Sequence, residues 1–444
     1  MRRSVLAALS AAAAALSAPA GAQDNDIAAA IAADMPGLMA IYRDLHANPE
    51  LSFQETRTAK VMADAARKAG FDVTEKVGRT GVVAVLRNGP GPTVLIRADM
   101  DGLPVVEQTG LPFASRQRGT STAGVESGIM HACGHDTHMT AWIEVARLMA
   151  RRRKDWSGTL VMIAQPAEEL GVGAKAMLDD GLYTRFPKPD HALAFHDSAE
   201  MPAGVVAATP GWALANVDSV DIEVKGVGGH GAYPHTTRDP IVLASAIVMR
   251  LQTLVSREQN PLDPAVVTVG SFHAGAKHNV IPDGARLQLT VRSYSDETRA
   301  RLLDGIRRIA EGEAIAAGVP RAAMPVVTVK EPYTRATFNS EALTRESIAD
   351  LARSMGAERA VLATPVMGGE DFGEFRRADE AAIQSLIFWI GGVPAERITA
   401  AREKGERLPS LHSPFWAPEA DKVIAAGAEA LLRTALRLMP AARN

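Results

Sequence analysis

The sequence predicts an α/β chain: a mainly parallel sheet with covering helices, interrupted by a smaller α+β unit of ferredoxin-like type. Over the first half of the chain, short apolar strand patterns alternate with helical patterns, which is typical of a parallel sheet covered on both faces. After Pro210 the strands instead alternate apolar and polar residues. From Ser340 to the end, helical and strand patterns of the first kind resume. The second unit is therefore predicted to be inserted in the first.

The first half of the chain supplies most elements of the parallel sheet. From Asp26 to Gly70 apolar residues recur at helical spacing, and Gly70 ends this region. Short runs rich in Val, Ile and Leu, bounded by glycine or proline, predict buried strands, and apolar residues at core spacing predict the helices between them. The strands are predicted at 82–86, 93–97, 160–164 and 192–195, and the helices at 137–152 and around 174–178.

The inserted unit is predicted at 213–329, between two parts of the larger domain at 23–212 and 330–444. Alternating apolar residues predict strands at 217–225 and 286–292. Two more strands and two helices complete the unit, at 266–272, 326–329, 241–255 and 297–317. The order strand, helix, strand, strand, helix, strand is that of a ferredoxin-like fold.

Residues 1–22 are predicted to be a secretory signal peptide. Arg2 and Arg3 precede an apolar, alanine-rich stretch, and Ala20-Gly-Ala22 supplies a small-residue cleavage site. The alternative is an uncleaved membrane anchor, but the stretch is short for a span and ends at Pro19. Cleavage after Ala18-Pro-Ala20 and twin-arginine export stay open. We therefore expect an exported protein, periplasmic or secreted.

The composition is that of a globular enzyme or binding protein. Of the 444 residues, 47% are hydrophobic and 22% are charged. Basic and acidic residues nearly balance, at 48 and 51, and form no basic block suited to nucleic acid. No later segment approaches ~18 uninterrupted apolar residues, so we expect no membrane contact in the mature form. The single cysteine, Cys133, excludes an intrachain disulfide.

Ionisable residues follow three of the predicted strands. Asp99 and Asp101 come after the strand at 93–97. Glu168 and Glu169 follow the strand at 160–164, and His196 follows the strand at 192–195. The carboxyl ends of parallel strands form the ligand crevice of an open α/β sheet, so we expect these side chains at one edge. For each residue alone, an ordinary surface charge is the alternative.

The densest cluster of candidate ligands is His131-Ala-Cys-Gly-His-Asp-Thr-His138. A thiolate and imidazoles on a loop that opens a helix suit zinc or a similar divalent ion. Gly134 allows the tight backbone that turns both of its neighbours towards one ion. The alternative is a buried, inert cysteine, with Asp136 capping the helix that follows.

The adjacent acids Glu168 and Glu169 can face different ways in a loop. One carboxylate can then bind a metal while the other accepts the proton of a metal-bound water. The alternative is a solvated acidic pair. Their position between a buried strand and the Gly171-Val-Gly173 turn argues against it.

Seven short motifs occur in order between about His46 and Leu432. They are Arg97-Ala-Asp-Met-Asp-Gly-Leu-Pro104, His131-Ala-Cys-Gly-His-Asp-Thr-His138, Gln165-Pro-Ala-Glu-Glu169, Gly228-Gly-His-Gly-Ala-Tyr-Pro-His235, Asn279-Val-Ile-Pro282, Gly368-Gly-Glu-Asp-Phe372 and Leu411-His-Ser-Pro414. Together they resemble the M20 metallopeptidase family. More narrowly, they resemble its amidohydrolase branch, which includes hippurate, N-acyl-amino-acid and auxin-conjugate hydrolases.

The resemblance implies a two-metal amidohydrolase in which the inserted domain forms a homodimer. The ligands that it implies are Cys133, His135, Glu169, His196 and His412, with Cys133 in the bridging position. Two divalent ions per chain are expected, zinc or manganese foremost, with cobalt and nickel open.

The resemblance also implies roles for residues that do not bind metal. Glu168 matches the general base, and His230 resembles a histidine that reaches across the dimer to the scissile carbonyl. Asn279 and Arg292 resemble substrate-holding groups, and the guanidinium fork of Arg292 suits a free carboxylate. A loop histidine and a structural ion pair are the alternatives for His230 and Arg292.

Two positions depart from the family pattern. Asp101 matches an acid that orients the site, but two residues earlier Asp99 stands where the wider family has a histidine. After His196 the chain reads Asp197-Ser-Ala-Glu200, where many relatives carry an apolar or aromatic residue and proline. The ligand histidine is kept, but we expect a different pocket wall beside it.

We therefore expect hydrolysis of the amide bond of an N-acyl amino acid or a related small conjugate. In this mechanism a metal-bound hydroxide attacks, and Glu168 acts as the general base. A dipeptidase or carboxypeptidase of the same fold is the alternative. A non-hydrolytic binding protein is disfavoured, because Glu168 and the ligand set are all present.

Overall fold

The computed structural model describes residues 20–442, with side chains described from residue 26. Most of the predicted signal peptide, residues 1–19, lies outside this part of the chain. The first described element is the helix Ala20–Ala47.

A mixed eight-stranded sheet forms the larger unit, and its centre is parallel. The four parallel central strands, in order across the sheet, are Gly158–Gln165, Thr93–Asp99, His191–Pro202 and Gln384–Val393. The central strands are apolar runs buried on both faces, as parallel sheets require. The mainly parallel α/β fold predicted from the sequence is confirmed.

Shorter or antiparallel strands complete both edges of this sheet. On one side Gly81–Asn88 and then Asp72–Val77 pair antiparallel. On the other side Val206–Ala208 runs antiparallel to its central neighbour and parallel to Ala360–Leu362. Of these edge pairs, Asp72–Val77 and Gly81–Asn88 are joined by a short hairpin, which needs no crossover helix.

Helices cover both faces of the large sheet. Side chains on the central strands point alternately to the two faces, so Ile96 packs in one core and Leu95 in the other. The helices of this unit, besides the first, are Thr56–Lys68, His135–Arg151, Gly173–Asp179, Leu182–Arg185, Glu341–Met355, Gly373–Arg377, Ala395–Lys404 and Ala420–Leu438. The helix His135–Arg151 contacts both the first and the last helix, and its Trp142 is fully buried.

The second unit is an antiparallel four-stranded sheet with two helices on one face. Its strands, in order across the sheet, are Val266–Ala274, Gly284–Ser293, Asn216–Lys225 and Val326–Val329, and its helices are Pro240–Thr253 and Asp296–Ala316. Val220, Ile222 and Leu289 lie in the core between sheet and helices. This is a ferredoxin-like arrangement, and it lies within the predicted 213–329. The domain boundaries and the dimerisation role stay predictions.

Three two-stranded ribbons complete the described strands. They are Arg118–Thr120 with Glu126–Gly128, Gly211–Leu214 with Thr337–Asn339, and Gly229–His230 with Val280–Ile281. The second ribbon lies where the chain enters and leaves the inserted unit. The third lies on that unit and carries His230.

Candidate active site

The predicted convergence at the carboxyl edge of the sheet is visible in the structure. Asp99 ends its strand, and its Oδ2 lies 3.5 Å from His135 Nε2. His196 lies on the neighbouring strand, and its Nε2 is 3.3 Å from Cys133 Sγ. The edge therefore gathers groups from two strands and from the loop that opens the helix His135–Arg151.

The five predicted ligands lie together. Cys133 Sγ is 3.2 Å from His412 Nε2, which in turn is 3.5 Å from Glu169 Oε2. Among the described residues, five groups of three possible donors have all their ligand atoms within 4.8 Å of one another, and two of these groups contain Cys133: Cys133 with His135 and His196, and Cys133 with Glu169 and His412. Cys133 belongs to both groups, which is the position that a bridging ligand would take.

Backbone carbonyls orient two of the histidines. His135 Nδ1 donates to the carbonyl of Asp101 at 2.8 Å, and His196 Nδ1 donates to the carbonyl of Asp197 at 2.8 Å. Each ring thus presents its unprotonated Nε2 to the cluster, as metal-binding histidines do. His135 Nε2 and Glu169 Oε1 are buried and have no hydrogen-bond partner among the described residues. A cation between these atoms would satisfy both.

The electrostatics of the cluster also fit a bound cation. Burial, and then the nearby Glu169 and Glu168, raise the pKa of the Cys133 thiol well above its usual value. Burial raises the pKa of Glu169 to about 8, with Asp101 and Asp99 adding to the effect against His135. These anionic groups repel one another in a dry site, and a divalent cation would offset both costs. Thiolate, imidazole and carboxylate donors together suit zinc or a similar ion.

Glu168 lies beside the donor cluster on the short helical turn Glu168–Leu170. Its Oε2 is 3.8 Å from His135 Nε2, and its side chain is largely buried. Burial, and then Glu370 and Glu169, raise its pKa well above the usual value. A carboxylate with a raised pKa is suited to accepting a proton near neutral pH.

Asp101 holds the backbone that carries both glutamates. The N–H groups of Glu168 and Glu169 donate to the two carboxylate oxygens of Asp101, each at 3.1 Å. The hydroxyl of Ser52 donates to the same carboxylate at 2.6 Å. This geometry is what an acid that orients the site requires.

A buried ion-pair network behind the donors had no role predicted from the sequence. Arg97 Nη1 donates to Asp99 Oδ2 at 2.6 Å, and Arg97 Nη2 donates to Glu370 Oε1 at 2.7 Å. His138 Nδ1 donates to Asp99 Oδ1 at 2.6 Å. Although burial raises it, the pKa of Asp99 is held well below its usual value by Arg97, His135 and His138. Asp99 is therefore a charged support for two histidines. Arg97, His138 and Glu370 each belong to one of the seven motifs, and this is the signal from which a role in the site could have been predicted.

A cleft of about 340 Å³ opens over the donors and is shared by the two units. Val217, Ser219 and Arg292 of the inserted sheet line it opposite Cys133. Arg292 Nε donates to the Thr290 hydroxyl at 2.9 Å, and it forms no ion pair with a carboxylate in the described part of the chain. The structural ion pair considered for Arg292 is therefore not seen, and its guanidinium faces the cleft.

His230 and Asn279 lie elsewhere. Both are exposed on the ribbon of the inserted unit, where Gly231 N donates to the carbonyl of Asn279 at 2.9 Å. Ala232 N donates to His230 Nδ1 at 3.0 Å. Neither residue lines the cleft of its own chain.

A parallel sheet that gathers thiol, imidazole and carboxylate donors at one edge, beside an inserted ferredoxin-like unit, defines a class of metal-dependent hydrolases. The chain belongs to the peptidase family M20/M25/M40, whose model matches residues 95–435. The resemblance stated from the motifs is thus confirmed, and with it a hydrolase that acts on amide bonds.

The proteins that this chain is similar to include both an amidohydrolase and peptidases. A hippurate hydrolase of Campylobacter jejuni is 37% identical over 352 residues, 78% of this chain and 86% of that protein. Thermostable carboxypeptidase 2 of Saccharolobus solfataricus is 35% identical over 399 residues, 89% of this chain and 94% of that protein. The structure of YXEP from Bacillus subtilis, a dinuclear metal-binding M20 peptidase, aligns with a TM-score of 0.73 at 30% identity, covering 92% of this chain and 99% of that chain.

Proposed function

We propose that this chain is an exported, dinuclear-metal amidohydrolase that cleaves N-acyl amino acids or related small conjugates. The observation that carries the proposal is that five donors and Glu168 lie together, and that four of these donors and Glu168 line one small cleft. The relative named hippurate hydrolase supports an N-acyl amino acid as the substrate, because hippurate is itself one. The volume of the cleft, about 340 Å³, suits a substrate of that size.

In this proposal Cys133, His135 and His196 hold one ion, and Cys133, Glu169 and His412 hold the other. When bound, divalent cations supply Lewis acidity to a carbonyl oxygen and lower the pKa of a water. Zinc or manganese is proposed. Glu168 accepts the proton of the attacking water and passes it to the nitrogen of the leaving amine.

Arg292 binds the free carboxylate of the substrate in this proposal. Its guanidinium is half-buried in the cleft wall and has no carboxylate partner within the described chain, so a bidentate pair with a substrate carboxylate is available. A carboxypeptidase or dipeptidase substrate also carries a carboxylate near the scissile amide. The relative named carboxypeptidase favours that second candidate.

We also propose that the inserted unit joins two copies of the chain. Within the described residues, one helical stretch, Pro240–Glu258, is long and apolar enough to cross a membrane by length and composition, and 33% of its most apolar window is buried. On its outer side Val242 and Met249 are 66% and 71% exposed. A second copy covering this side would bury them. We further propose that the exposed His230 and Asn279 of each copy then reach the partner's cleft, because neither lines the cleft of its own chain.

The replacement Glu168→Ala tests the proposed chemistry. After loading with zinc or manganese, the variant should keep about two ions per chain, while kcat for N-acetyl and N-benzoyl amino acids falls about 10²–10⁴-fold, the usual contribution of a general base. Metal content is measured by elemental analysis and turnover by amino-acid release. Dipeptides in the same panel separate the peptidase candidate. Activity retained by the variant would contradict the mechanism.

The export proposal has its own test. In a Gram-negative host the full chain should be recovered from the periplasm with a mature N-terminus near residue 23, whereas a chain that lacks residues 1–22 should stay in the cytoplasm. N-terminal sequencing of the fractionated protein measures both. An uncleaved full chain bound to the membrane would identify the leader as an anchor instead.

A further inference from the structure

Glu55 is a fully buried carboxylate that the proposed mechanism does not use. It directly precedes the helix Thr56–Lys68, but its side chain makes no capping bond to that helix. Instead its Oε1 accepts from the backbone N–H of Ala167 at 2.8 Å, and its Oε2 accepts from the Thr80 hydroxyl at 2.5 Å. One carboxylate oxygen of Glu55 thus accepts a hydrogen bond from the residue that directly precedes Glu168.

Two buried carboxylates together hold three consecutive backbone amides. Ala167 donates to Glu55, and Glu168 and Glu169 donate to Asp101. Asp101 is held in turn by Ser52, three residues before Glu55. The segment 52–55 therefore fixes the loop of the two glutamates from one side, directly and through Asp101.

Ala167 adopts a backbone conformation that alanine rarely adopts. Its φ of 48° and ψ of 42° lie in the left-handed region, where the Cβ atom crowds the following carbonyl. Such a conformation persists only where the surroundings fix it. Ala167 is fully buried, its N–H is held by Glu55, and its carbonyl accepts from Gly173 N at 3.2 Å. The bond from Glu55 is thus placed at the one strained residue of this loop.

We infer that Glu55 is a positioning residue for the proposed amide hydrolysis. By holding the Ala167 amide it fixes the left-handed turn and aims Glu168 and Glu169 into the cleft. The inference rests on the proposed function, because Glu168 and Glu169 are the base and a ligand there. Glu55 itself does not line the cleft. A displacement of about 1 Å in a catalytic group can cost about 100-fold in rate, so a fixed turn matters.

Four variants test this role in the full, metal-loaded chain. Glu55→Ala should lower kcat about 10–100-fold while KM changes less than about threefold, since the substrate contacts are untouched. Glu55→Gln should stay within about threefold of wild type, because its amide oxygen can still accept from the Ala167 N–H. Ala167→Gly alone should be near neutral. The double variant combines Glu55→Ala with Ala167→Gly. Glycine adopts the left-handed conformation without the hydrogen bond to Glu55, so kcat of the double variant should be about tenfold higher than that of Glu55→Ala alone.

Glu144→Ala is the matched control. Glu144 is a fully buried glutamate on the helix His135–Arg151 and does not line the cleft. This control should leave kcat within about threefold of wild type, because Glu144 makes no hydrogen bond to the loop of the two glutamates. A merely structural role for Glu55 predicts the same behaviour for Glu55→Ala, with no rescue by Ala167→Gly, and that result would overturn the inference.

A second readout does not depend on turnover. Hydrogen–deuterium exchange of peptides spanning 166–171 should be faster in Glu55→Ala than in wild type and in Glu144→Ala. Unchanged protection in Glu55→Ala overturns the inference. If wild type turns over no substrate of the panel, the proposed function fails, and exchange alone then decides whether Glu55 fixes this loop.

Discussion

Gly134 shows how one residue allows the two neighbouring donors Cys133 and His135 to serve one site. Its φ of +86° is left-handed, and a Cβ atom here would lie 2.3 Å from Asp197 Oδ2. Gly134→Ala therefore combines backbone strain of about 1–2 kcal/mol with overpacking of about 1–3 kcal/mol. We expect it to lower the free energy of unfolding by about 2–5 kcal/mol and to reduce metal content, as measured by urea denaturation and elemental analysis.

Gly70 provides the matched control for this prediction. Its φ of +87° is nearly the same, but a Cβ atom there meets nothing within 4 Å. Gly70→Ala should therefore cost only about 1–2 kcal/mol, and it should leave metal content unchanged. Equal losses in the two variants would show that contact with Asp197 does not matter.

A buried histidine ties the first helix to the helix that opens at the site. His46, in the last turn of Ala20–Ala47, has its Nδ1 at 2.6 Å from Asp136 Oδ2 and its Nε2 at 3.0 Å from Glu107 Oε1. Burial alone lowers the pKa of His46, but its bonds to Asp136 and Glu107 raise it to about 10. His46 is thus a buried cation between two carboxylates. Its partners Asp136 and Glu107 lie 90 and 61 positions further along the chain.

The sign of this shift predicts a pH dependence of stability. A histidine whose pKa rises from 6.5 to about 10 on folding stabilises the protein fully below about pH 6.5, and this contribution is lost as the pH rises through about 10. The free energy of unfolding should therefore fall between these values. His46→Gln should cost about 3 kcal/mol at pH 6 and flatten the profile, because two buried carboxylates lose their partner.

The measurement is urea denaturation over a series of pH values, with His235→Gln as control. His235 is exposed on the inserted unit, so its variant should follow the wild-type profile. If His46→Gln kept the wild-type slope between pH 7 and 10, the buried cation would not be the cause.

At the scale of the whole molecule, the sequence predicts those elements whose apolar patterns are long enough to identify them. The strand predicted at 93–97 is Thr93–Asp99, and the one predicted at 326–329 is Val326–Val329. Short strands near the edge of the sheet, such as Val206–Ala208, could not be predicted. Three residues carry no period, and the pairing partner Ala360–Leu362 lies about 150 positions away.

In the candidate site, too, some residues could be predicted from the sequence and others could not. Its donors could be named because their residue types and spacing suit a metal, and the rule for parallel strands placed several of them at one edge. The supports Glu55 and Arg97 could not be given roles in that way. Their contacts with Ala167 and Glu370 join residues 112 and 273 positions apart, and such pairings depend on the completed fold.

In the proposed dimer, each active site uses residues of both chains. His230 does not line the cleft of its own chain, so in the proposed dimer each complete site combines Glu168 of one copy with His230 of the other. His230→Ala and Glu168→Ala should each lose most activity when pure. When the two are mixed and allowed to exchange subunits, half of the dimers are mixed, and each mixed dimer has one complete site. About one quarter of wild-type activity should therefore return, with mixed dimers quantified by native mass spectrometry. Mixed dimers without activity would place His230 in the site of its own chain or outside catalysis.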